Sequence, residues 1–296
     1  DVEIYMIKGN GQEPLTKDTE VYWGNRIVPN IVEDHENLKW VHFGSTGTDR
    51  LHECEKAKNL IVTNSRGLVT PEMTTSVIGF MTLCARRYDY LINSYQKFVI
   101  SREDYNNVYE EVHSLEGKNC YIFGYGDMGR SIAKALNGLG MKVIGFKRSL
   151  SKAYNDSFAN IEHINNLHRF IEKADYIVNC LPLNLSTKDF FNWKIFQKMH
   201  CQCFINVGRG ETVNEEDLIK AIQNQNILYA YLDVVKDEPI SLDNKLLNEK
   251  SIFVTPHVAA VSKAYWFRQR KLIKQNIRLF KEGLFSEMIN KVDFPY

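Results

Sequence analysis

The stretch "YIFGYGDMGRSIAKAL", residues 121–136, decides the fold. It opens with an apolar run of strand length that ends at Gly124, and it continues with a helical pattern in which Ile132 and Leu136 fall on one face. A further apolar run, "MKVIGF", follows at residues 141–146. A strand, a glycine turn, a helix and a second strand in this order predict the beginning of a parallel β-α-β sheet.

Three glycines mark the turn between this strand and this helix, at positions 124, 126 and 129. In the G-x-G-x-x-G pattern, Gly124 permits the tight turn, Gly126 lets the backbone approach a pyrophosphate, and Gly129 allows close packing of helix on strand. The pyrophosphate lies at the helix N-terminus, where free N–H groups and the helix dipole favour an anion. We therefore predict a dinucleotide site, the alternative being a glycine turn that binds no ligand.

The end of the second strand bears on the type of dinucleotide. An Asp or Glu at this point accepts hydrogen bonds from the ribose hydroxyls of NAD and repels a 2′-phosphate. This chain has Lys147, Arg148 and Ser149 there instead. Two cations and a hydroxyl donor would bind a 2′-phosphate, so we predict NADP(H) as the preferred cofactor, with NAD(H) possible. The alternative is that the two cations belong to a solvated turn.

Composition places the chain among ordinary globular proteins. It has 296 residues, enough for two modest domains, of which 44% are apolar and 25% are charged. A formal net charge of +1 gives no overall attraction to nucleic acid or acidic membranes. No apolar run approaches the roughly 20 residues that span a bilayer, and the first residues show no signal-peptide pattern. We predict no nucleic-acid partner and no membrane partner.

Six cysteines are scattered along the chain. Cys120 and Cys180 lie in apolar runs, where a free thiol behaves as a small core residue. Cys201 and Cys203 are too close for an ordinary disulfide and have no neighbouring partners for a zinc site. The pattern favours a reduced, cytoplasmic protein without a bound metal.

Alternating apolar and polar segments predict the rest of the fold. The first part of the chain contains the short apolar runs "EIYMI", "EVYWG", "LKWVHF" and "NLIVTN". One long helix is predicted over "GLVTPEMTTSVIGFMTLCARRYDYLI", with Pro71 in its first turn. From residue 120 onward the apolar strands are "CYIFGY", "KVIGF", "YIVNCLP", "QCFINVG", "LYAYLDVV" and "IFVTP", with helical segments between them. Such strands indicate a parallel sheet covered on both faces.

The predicted fold class is α/β, with two Rossmann-like domains. A doubly wound, parallel-sheet nucleotide-binding domain is expected at residues 67–264. It is inserted into a smaller, flavodoxin-like substrate domain formed by residues 1–66 and 265–296. The last segment has helical periodicity and is expected to complete the substrate domain.

Three strand ends carry residues suited to hydride chemistry: Arg209 in "INVGRGETV", Glu238 in "LDVVKDEP" and His257 in "VTPHVAA". Ligands of open parallel sheets bind outside the carboxyl ends of the strands, so these residues are expected to meet there. An Arg fork can bind a carboxylate and an adjacent carbonyl. A His with a pKa near neutrality can transfer a proton, and a neighbouring Glu would stabilise its charged form. Taken singly, they could be a turn cation, a loop acid and a helix cap.

Together with the glycine loop, these stretches resemble the D-2-hydroxyacid dehydrogenase family over nearly the whole chain. The matching positions are Leu115, Gly117 and Lys118; Pro182 and Leu183; Asn206 with Arg209 and Gly210; Leu232-Asp233-Val234 through Glu238-Pro239; Thr255-Pro256-His257; and the substrate loop "LKWVHFGSTGTDRL". Two departures are Gly208, where the family commonly has Ala, and Thr75, where it usually has Glu.

The resemblance implies an NAD(P)-dependent oxidoreductase that reduces a small 2-oxo acid, such as glyoxylate or hydroxypyruvate, to the D-2-hydroxy acid. Arg209 would bind the substrate, His257 would be the general acid and base, and Glu238 would orient His257 and raise its pKa. Backbone N–H groups around residues 45–47 would receive the substrate carboxylate. The substrate-binding residues would be Ser45, Thr46, Gly47, Arg209 and His257. The cofactor-binding residues would be Gly124, Gly126, Asp127, Met128, Gly129, Lys147, Arg148, Ser149, Leu181, Pro182, Thr187, Val207, Gly208, Asp233 and His257.

The resemblance also implies a homodimer, because relatives pair through the region of the long helix. Apolar residues lie on more than one face of this helix between Pro71 and Tyr90: Val77, Ile78, Phe80, Met81 and Leu83. The alternative is burial within one chain. Two other functions stay open: a nucleotide-sensing protein or corepressor of the same fold, and a dehydrogenase of another family that shares only the glycine loop. The Thr-Pro-His and Glu-Pro motifs speak against the latter.

Overall fold

The computed structural model describes residues 16–24, 32–48, 51, 54–96, 101–150 and 156–293. Contacts divide the chain into two compact units, one formed by Asp1–Val69 and Ser262–Tyr296 and the other by Thr70–Val261. The units therefore divide at 69/70 and 261/262, whereas the sequence-based boundaries are 66/67 and 264/265. The assignment of these segments to a substrate domain and a cofactor domain remains a prediction.

The strands and helices are as follows. The strands are β1 (Val21–Gly24), β2 (Trp40–Phe43), β3 (Ile61–Asn64), β4 (Asn119–Phe123), β5 (Lys142–Lys147), β6 (Asn160–His163), β7 (Tyr176–Asn179), β8 (Cys201–Asn206), β9 (Ile227–Leu232) and β10 (Ile252–Val254). The helices are α1 (Thr70–Ala85), α2 (Tyr88–Gln96), α3 (Arg102–Asn106), α4 (Asp127–Gly138), α5 (Trp193–Phe196), α6 (Glu215–Gln223) and α7 (Lys263–Lys281). Short 3-10 helices lie at Glu55–Asn59, Tyr109–Glu111, Ile164–Arg169, Ile171–Lys173, Gly210–Thr212, Lys245–Asn248 and Phe285–Glu287.

The second unit contains one parallel sheet of seven strands, in the order β10-β9-β8-β7-β4-β5-β6. The strand β4 pairs with β5 on one side and with β7 on the other, so the winding of the chain reverses direction at β4. In open α/β sheets, ligands bind at such a reversal, outside the carboxyl ends of the strands. The predicted α/β fold with a doubly wound parallel sheet is confirmed.

Apolar layers cover both faces of this sheet. Side chains alternate between faces along a strand, and β4 shows the alternation clearly. Tyr121 and Phe123 belong to a buried cluster that includes Phe196 of α5 and Leu218 of α6. Ile122 points the other way, where its Cγ2 would lie 3.1 Å from a Cβ placed on Gly129 of α4. The continuous apolar strands of the sequence are thus explained by burial on two sides.

The prediction of one long helix before the sheet is wrong. Helix α1 ends at Ala85 and α2 begins at Tyr88, because Arg87 adopts a left-handed conformation with a φ of 51°. Its guanidinium donates to both carboxylate oxygens of Asp89, at 3.1 and 3.2 Å, and pairs with Glu111. It also lies over the ring of Tyr229, 5.4 Å from the centroid. These contacts hold a turn that helical periodicity does not show.

The first unit contains a parallel sheet in the order β1-β2-β3. Its core is apolar and includes Val41 and Phe43 of β2 and Val62 of β3. Ser262 caps α7, since its hydroxyl accepts a hydrogen bond from the backbone N–H of Tyr265 at 2.9 Å. The apolar run "EIYMI" lies outside the described residues.

All six cysteines lie within the described residues, and all are free and buried. Burial raises the pKa of the Cys180 and Cys201 thiols to about 12, which keeps them protonated and poorly nucleophilic. These two thiols are therefore core side chains. Among the described residues, no helix combines the length and the apolar character needed to cross a bilayer.

Candidate active site

Two of the three glycines between β4 and α4 are required by the fold itself. Gly124 has a φ of +83°, and a Cβ on it would lie 2.5 Å from the carbonyl oxygen of Cys180. A Cβ on Gly129 would lie 2.9 Å from the carbonyl oxygen of Gly124. Backbone atoms move aside less readily than the end of a flexible side chain, so a larger residue at either position would distort the loop. The two glycines fill the turn and packing roles that the motif assigns to them.

Gly126 differs from the other two glycines. It is the N-cap residue of α4, and a Cβ on it would meet no atom within 4 Å. The protein's own packing therefore gives no reason for a glycine here. The first-turn N–H groups of Met128 and Gly129 have no acceptor among the described residues, and Asp127 opens the helix beside them. An open space beside helix N–H groups fits the pyrophosphate of a dinucleotide.

The predicted specificity residues lie next to this loop. The carbonyl oxygen of Phe146 accepts hydrogen bonds from the N–H groups of Gly124 and Tyr125, at 3.3 and 3.2 Å. Lys147 follows directly and is partly buried, and Arg148 and Ser149 come next and are exposed. The two cations and the Ser149 hydroxyl therefore lie directly after the strand end that holds the glycine loop, where they could bind a 2′-phosphate.

The loop after β7 is ordered by its own side chains. The side-chain oxygen of Asn179 accepts from the N–H of Leu181 at 3.0 Å. The Thr187 hydroxyl donates to the carbonyl of Pro182 at 2.7 Å and accepts from the N–H of Asn184 at 2.8 Å. Thr187 thus closes this turn, while Pro182 is exposed. Both are predicted cofactor residues, and their positions at the end of β7 fit that prediction.

A buried polar network supports the backbone of Arg209. Asn206 Nδ2 and the Thr212 hydroxyl both donate to the carbonyl oxygen of Arg209, at 3.2 and 2.6 Å. Asn179 Nδ2 donates to Asn206 Oδ1 at 3.0 Å and to Thr212 Oγ1 at 2.7 Å. Asn206 Oδ1 also accepts from the N–H of Gly208 at 3.1 Å. Val207, between these two residues, is buried. Every member of the network is satisfied, so the loop that carries Arg209 is held rigidly.

Asn179 and Thr212 were not predicted as part of the site. The sequence does contain a pattern that indicates the first of these: Asn179 and Asn206 each end an apolar strand, and the two are register partners in neighbouring strands of the sheet. A polar side chain that closes an otherwise apolar strand needs a buried partner. Two such residues on consecutive strands could have been paired from the sequence.

His257 and Glu238 form a direct pair. The Nδ1–H of His257 donates to Glu238 Oε2 at 2.8 Å, and 53% and 37% of the two side chains are exposed. Glu238 Oε1 also accepts from the N–H of Val235 at 3.3 Å. This geometry leaves His257 Nε2 as the nitrogen that can exchange a proton with a ligand.

The pair perturbs both titrations. The hydrogen bond to Glu238 raises the pKa of His257 above its ordinary value, despite the opposing effects of burial and of the positive charge of Arg209. Burial acts to raise the pKa of Glu238, but the hydrogen bond and charge of His257, the Val235 N–H and the charge of Arg209 together lower it. Arg209, Glu238 and His257 are therefore close enough to act on one another electrostatically.

Asp233 is buried beneath the loop that carries His257. Its carboxylate accepts from the Thr255 hydroxyl at 2.6 Å and from the N–H groups of Val258 and Ala259 at 2.9 and 3.0 Å. Its carbonyl oxygen accepts from the N–H of His257 at 3.0 Å. His257 itself has a φ of 56°, a left-handed conformation that is uncommon outside glycine. Asp233 is thus engaged with this loop, in addition to its predicted role toward the cofactor.

The predicted substrate loop belongs to the first unit. The carbonyl oxygens of residues 44–46 accept hydrogen bonds, at 2.9 Å from Gln269 Nε2, 3.0 Å from the N–H of Ser65 and 2.8 Å from Asn64 Nδ2. The N–H groups of Ser45, Thr46 and Gly47 have no acceptor within the part of the chain that the structure describes. Fixed carbonyls and available N–H groups suit the binding of a carboxylate.

Residues 78–259 match the family described as D-isomer specific 2-hydroxyacid dehydrogenase, NAD binding domain. The chain belongs to this family. Its members are NAD(P)-dependent oxidoreductases, and the resemblance stated from the sequence motifs is confirmed.

Relatives and solved structures agree with this membership. D-3-phosphoglycerate dehydrogenase of Methanocaldococcus jannaschii is 25% identical over 99% of this chain, but this chain spans only 56% of that relative's length. Hydroxypyruvate reductase of Thermotoga maritima is 27% identical over 79% of this chain and 75% of its own length. The fold is similar to NADPH-dependent glyoxylate/hydroxypyruvate reductase of Sinorhizobium meliloti, solved with NADP and sulfate, with a TM-score of 0.80 at 23% identity over 93% of this chain and 84% of that one.

The strand β2, which leads into the predicted substrate loop, carries a buried histidine. His42 is fully buried, with Nδ1 2.7 Å from Thr63 Oγ1 and Nε2 3.1 Å from Ser65 Oγ. Trp40 Nε1 donates to Thr63 Oγ1 at 2.8 Å, so the Thr63 hydroxyl can donate to His42 Nδ1. Gln269 Nε2 donates to Ser65 Oγ at 2.9 Å. These partners assign a neutral His42 with its proton on Nε2.

We expect His42 to make the protein acid-sensitive. Burial lowers the pKa of His42 to about 4, whereas an unfolded histidine titrates near 6.5. Between these values His42 is protonated in the unfolded chain but neutral in the folded chain. The free energy of unfolding therefore falls as pH drops from about 6.5 to about 4. The loss reaches about 3 kcal/mol at the lower limit. Urea unfolding of the parent and of His42→Gln at pH 7 and pH 4.5 measures it. The variant should lose less stability between the two pH values, and equal losses would contradict the prediction.

Proposed function

We propose that this chain catalyses the NADP(H)-dependent reduction of a small 2-oxo acid, such as glyoxylate or hydroxypyruvate, to the corresponding D-2-hydroxy acid. The observation that carries the proposal is the 2.8 Å contact between His257 Nδ1 and Glu238 Oε2, made within electrostatic range of Arg209. A cation for a carboxylate and a proton donor for a carbonyl oxygen are the two groups this reaction needs. Family membership supports the same reaction class.

The proposed roles follow from the chemistry of the side chains. Arg209 binds the carboxylate and the adjacent carbonyl oxygen of the substrate through its planar fork. The N–H groups of Ser45, Thr46 and Gly47 bind the remaining carboxylate oxygen. When bound, the reduced nicotinamide supplies the hydride that the carbonyl carbon accepts. His257 Nε2 then gives its proton to the carbonyl oxygen, and in the reverse reaction the neutral imidazole takes that proton back.

The proposed cofactor site has the glycine loop at its centre. Gly126 and the N–H groups of Met128 and Gly129 hold the pyrophosphate, while Lys147, Arg148 and Ser149 bind the 2′-phosphate. The other predicted cofactor residues frame the loops after β7, β8 and β9. These residues are Leu181, Pro182, Thr187, Val207, Gly208 and Asp233. The NADP in the Sinorhizobium meliloti reductase of the same fold supports this preference.

A substrate panel tests the proposed function. Steady-state oxidation of NADPH and of NADH is followed by absorbance with glyoxylate, hydroxypyruvate, pyruvate and 3-phosphohydroxypyruvate. We expect turnover with at least one short 2-oxo acid, and a higher kcat/KM with NADPH than with NADH. Binding of NADPH without turnover of any of the acids would instead indicate a nucleotide-sensing protein. A titration of the protein with NADPH, followed by cofactor fluorescence, measures binding separately and so distinguishes loss of binding from loss of chemistry.

Glu238→Gln should move the pH profile of reduction. Reduction needs protonated His257, so its kcat/KM falls as pH rises through the pKa of His257. In the parent, Glu238 stabilises the imidazolium and raises that pKa. The amide keeps the shape of the side chain and removes its charge, so the fall should begin at lower pH in the variant. In the oxidation direction His257 must be neutral, so kcat/KM rises with pH, and this rise should also shift to lower pH in the variant. Superimposable profiles for parent and variant would show that the two residues are not coupled in catalysis.

We propose that the protein is a homodimer that pairs through the region of α1 and α2. Val77 and Met81 of α1 are buried within their own unit, but Ile78 and Leu83 are only partly covered, and Ile92 of α2 is 54% exposed. Apolar exposure of this kind suits an interface between copies of the chain. Sedimentation equilibrium at micromolar protein should give twice the chain mass, and a monomer mass would end the idea.

We also place the protein in a reducing compartment such as the cytoplasm, because free thiols persist there. All six thiols are free in the structure. Thiol titration of the unfolded protein, purified without reductant from that compartment, should therefore count six. A lower count would indicate disulfides and contradict this location.

A further inference from the structure

Two glycines flank Arg209, and the structure gives them different neighbours. A Cβ on Gly208 would lie 2.7 Å from the carbonyl oxygen of Leu181, in the loop after β7. A Cβ on Gly210 would overlap the carbonyl group of Val235 and lie 2.5 Å from the N–H nitrogen of Lys236, in the loop after β9. The Arg209 loop is therefore packed between two other loops, with a glycine at each contact.

The contact at Gly210 matters because Val235 anchors Glu238. The N–H of Val235 donates to Glu238 Oε1 at 3.3 Å, and the other oxygen, Oε2, accepts from His257 Nδ1 at 2.8 Å. The next N–H, that of Lys236, donates to Glu215 Oε1 at 2.7 Å. The backbone at 235–236 is thus fixed by Gly210 on one side and by Glu215 on the other.

We propose that Gly210 is a positioning residue for the acid–base pair: without a Cβ, it lets the backbone of Val235 lie against the Arg209 loop, and this holds Glu238 against His257. The inference rests on the proposed function, since it concerns the residues assigned to catalysis there. In this proposal, the absence of a Cβ on Gly210 sets the distance between the Arg209 loop and the Glu238 loop. A Cβ at position 210 would meet the backbone of the opposite loop, so the two loops must move apart.

Gly210→Ala tests the proposal through the titration of His257. The charged groups that act on His257 are Glu238, Asp233 and Arg209. Displacing the 235–238 backbone acts directly on the first of these, because the N–H of Val235 holds Glu238. The pKa of His257 should therefore fall, by on the order of one pH unit and not beyond the fall in Glu238→Gln. The readout is the NMR titration of [13Cε1]-histidine in the unliganded protein, with the His257 signal identified by its loss in His257→Ala.

The matched control is Gly208→Ala, which makes the same chemical change two positions away and introduces the residue common in the family. It should leave the pKa of His257 unchanged and should instead alter the KM for the cofactor, because its contact is with Leu181. In the double variant Gly210→Ala/Glu238→Gln, the pKa should equal that of Glu238→Gln alone, since Gly210 acts through Glu238. An unchanged His257 pKa in Gly210→Ala, or an additive fall in the double variant, would overturn the proposal.

A second variant keeps the test decisive if Gly210→Ala does not fold. Glu215→Ala removes the acceptor that holds Lys236 and loosens the same loop from its other side. It should lower the pKa of His257 in the same direction, while Glu216→Ala, on the exposed neighbouring residue, should leave it unchanged. Equal pKa values in both would reject the proposal. This readout needs no turnover, so it separates failure of the positioning role from failure of the proposed reaction.

Discussion

Replacing His257 with Ala is expected to lower kcat for 2-oxo acid reduction by about 10²–10⁴-fold, the usual contribution of a general acid. The imidazole is the proton donor in the proposed reaction, and its Nε2 faces away from the 2.8 Å contact with Glu238. Without it, the alkoxide that forms on hydride transfer must take its proton from water. Cofactor binding should be largely kept, because the glycine loop does not depend on this side chain.

Two measurements make this result interpretable. Single-turnover kinetics with NADPH and saturating substrate report the chemical step, and fluorescence titration reports the Kd for NADPH. His168→Ala is the matched control, since His168 is exposed and its Nδ1 lies 3.0 Å from the carbonyl oxygen of Asn165 in its own turn. It should behave as the parent. Near-parental kcat in His257→Ala would remove the proton donor from the mechanism.

The second large effect is expected from Lys147→Asp combined with Arg148→Ser. Each charge-assisted hydrogen bond to the 2′-phosphate is worth about 1.5–3 kcal/mol, so the two together should cost at least about 100-fold in kcat/KM for NADPH. The new carboxylate can accept hydrogen bonds from the ribose hydroxyls of NADH and repels a 2′-phosphate. The ratio of kcat/KM for NADPH over NADH should therefore reverse.

Lys142→Asp is the control for general charge effects. Lys142 is exposed at the opposite end of β5, so the variant changes charge on the same strand without altering the proposed phosphate site. It should keep the cofactor preference of the parent. An unchanged preference in the double variant would reject Lys147 and Arg148 as the phosphate-binding residues and return them to the reading of a solvated turn.

The sequence was most informative where one physical requirement acts on one short segment. The glycine loop is such a case, because a positive φ at Gly124 and close packing at Gly129 follow from local geometry. The parallel sheet is another, since continuous apolar strands need cover on both faces. Both were predicted from sequence alone.

The sequence was least informative where distant segments decide. The break after α1 depends on Arg87 meeting Asp89, Glu111 and Tyr229, which periodicity cannot show. The packing of Gly210 on Val235 is a contact between backbones, and backbone contacts have no residue signature beyond a glycine. The His257 loop likewise depends on a buried Asp233, whose hydrogen bonds become visible only with the fold.

The strand order also affects how such an enzyme can be re-engineered. The strands β4–β6 carry the glycine loop and the predicted specificity residues as one contiguous run of chain, and β7–β10 carry Arg209, Glu238 and His257 as another. Within the sheet, the two runs are hydrogen-bonded to each other only along β4 and β7. A recombinant that exchanges the first run for that of a relative therefore has to preserve this strand pairing and the packing of Tyr121 and Phe123 on the helices of the second run. If the proposed roles hold, cofactor preference can then be exchanged between relatives without replacing the residues proposed for proton transfer.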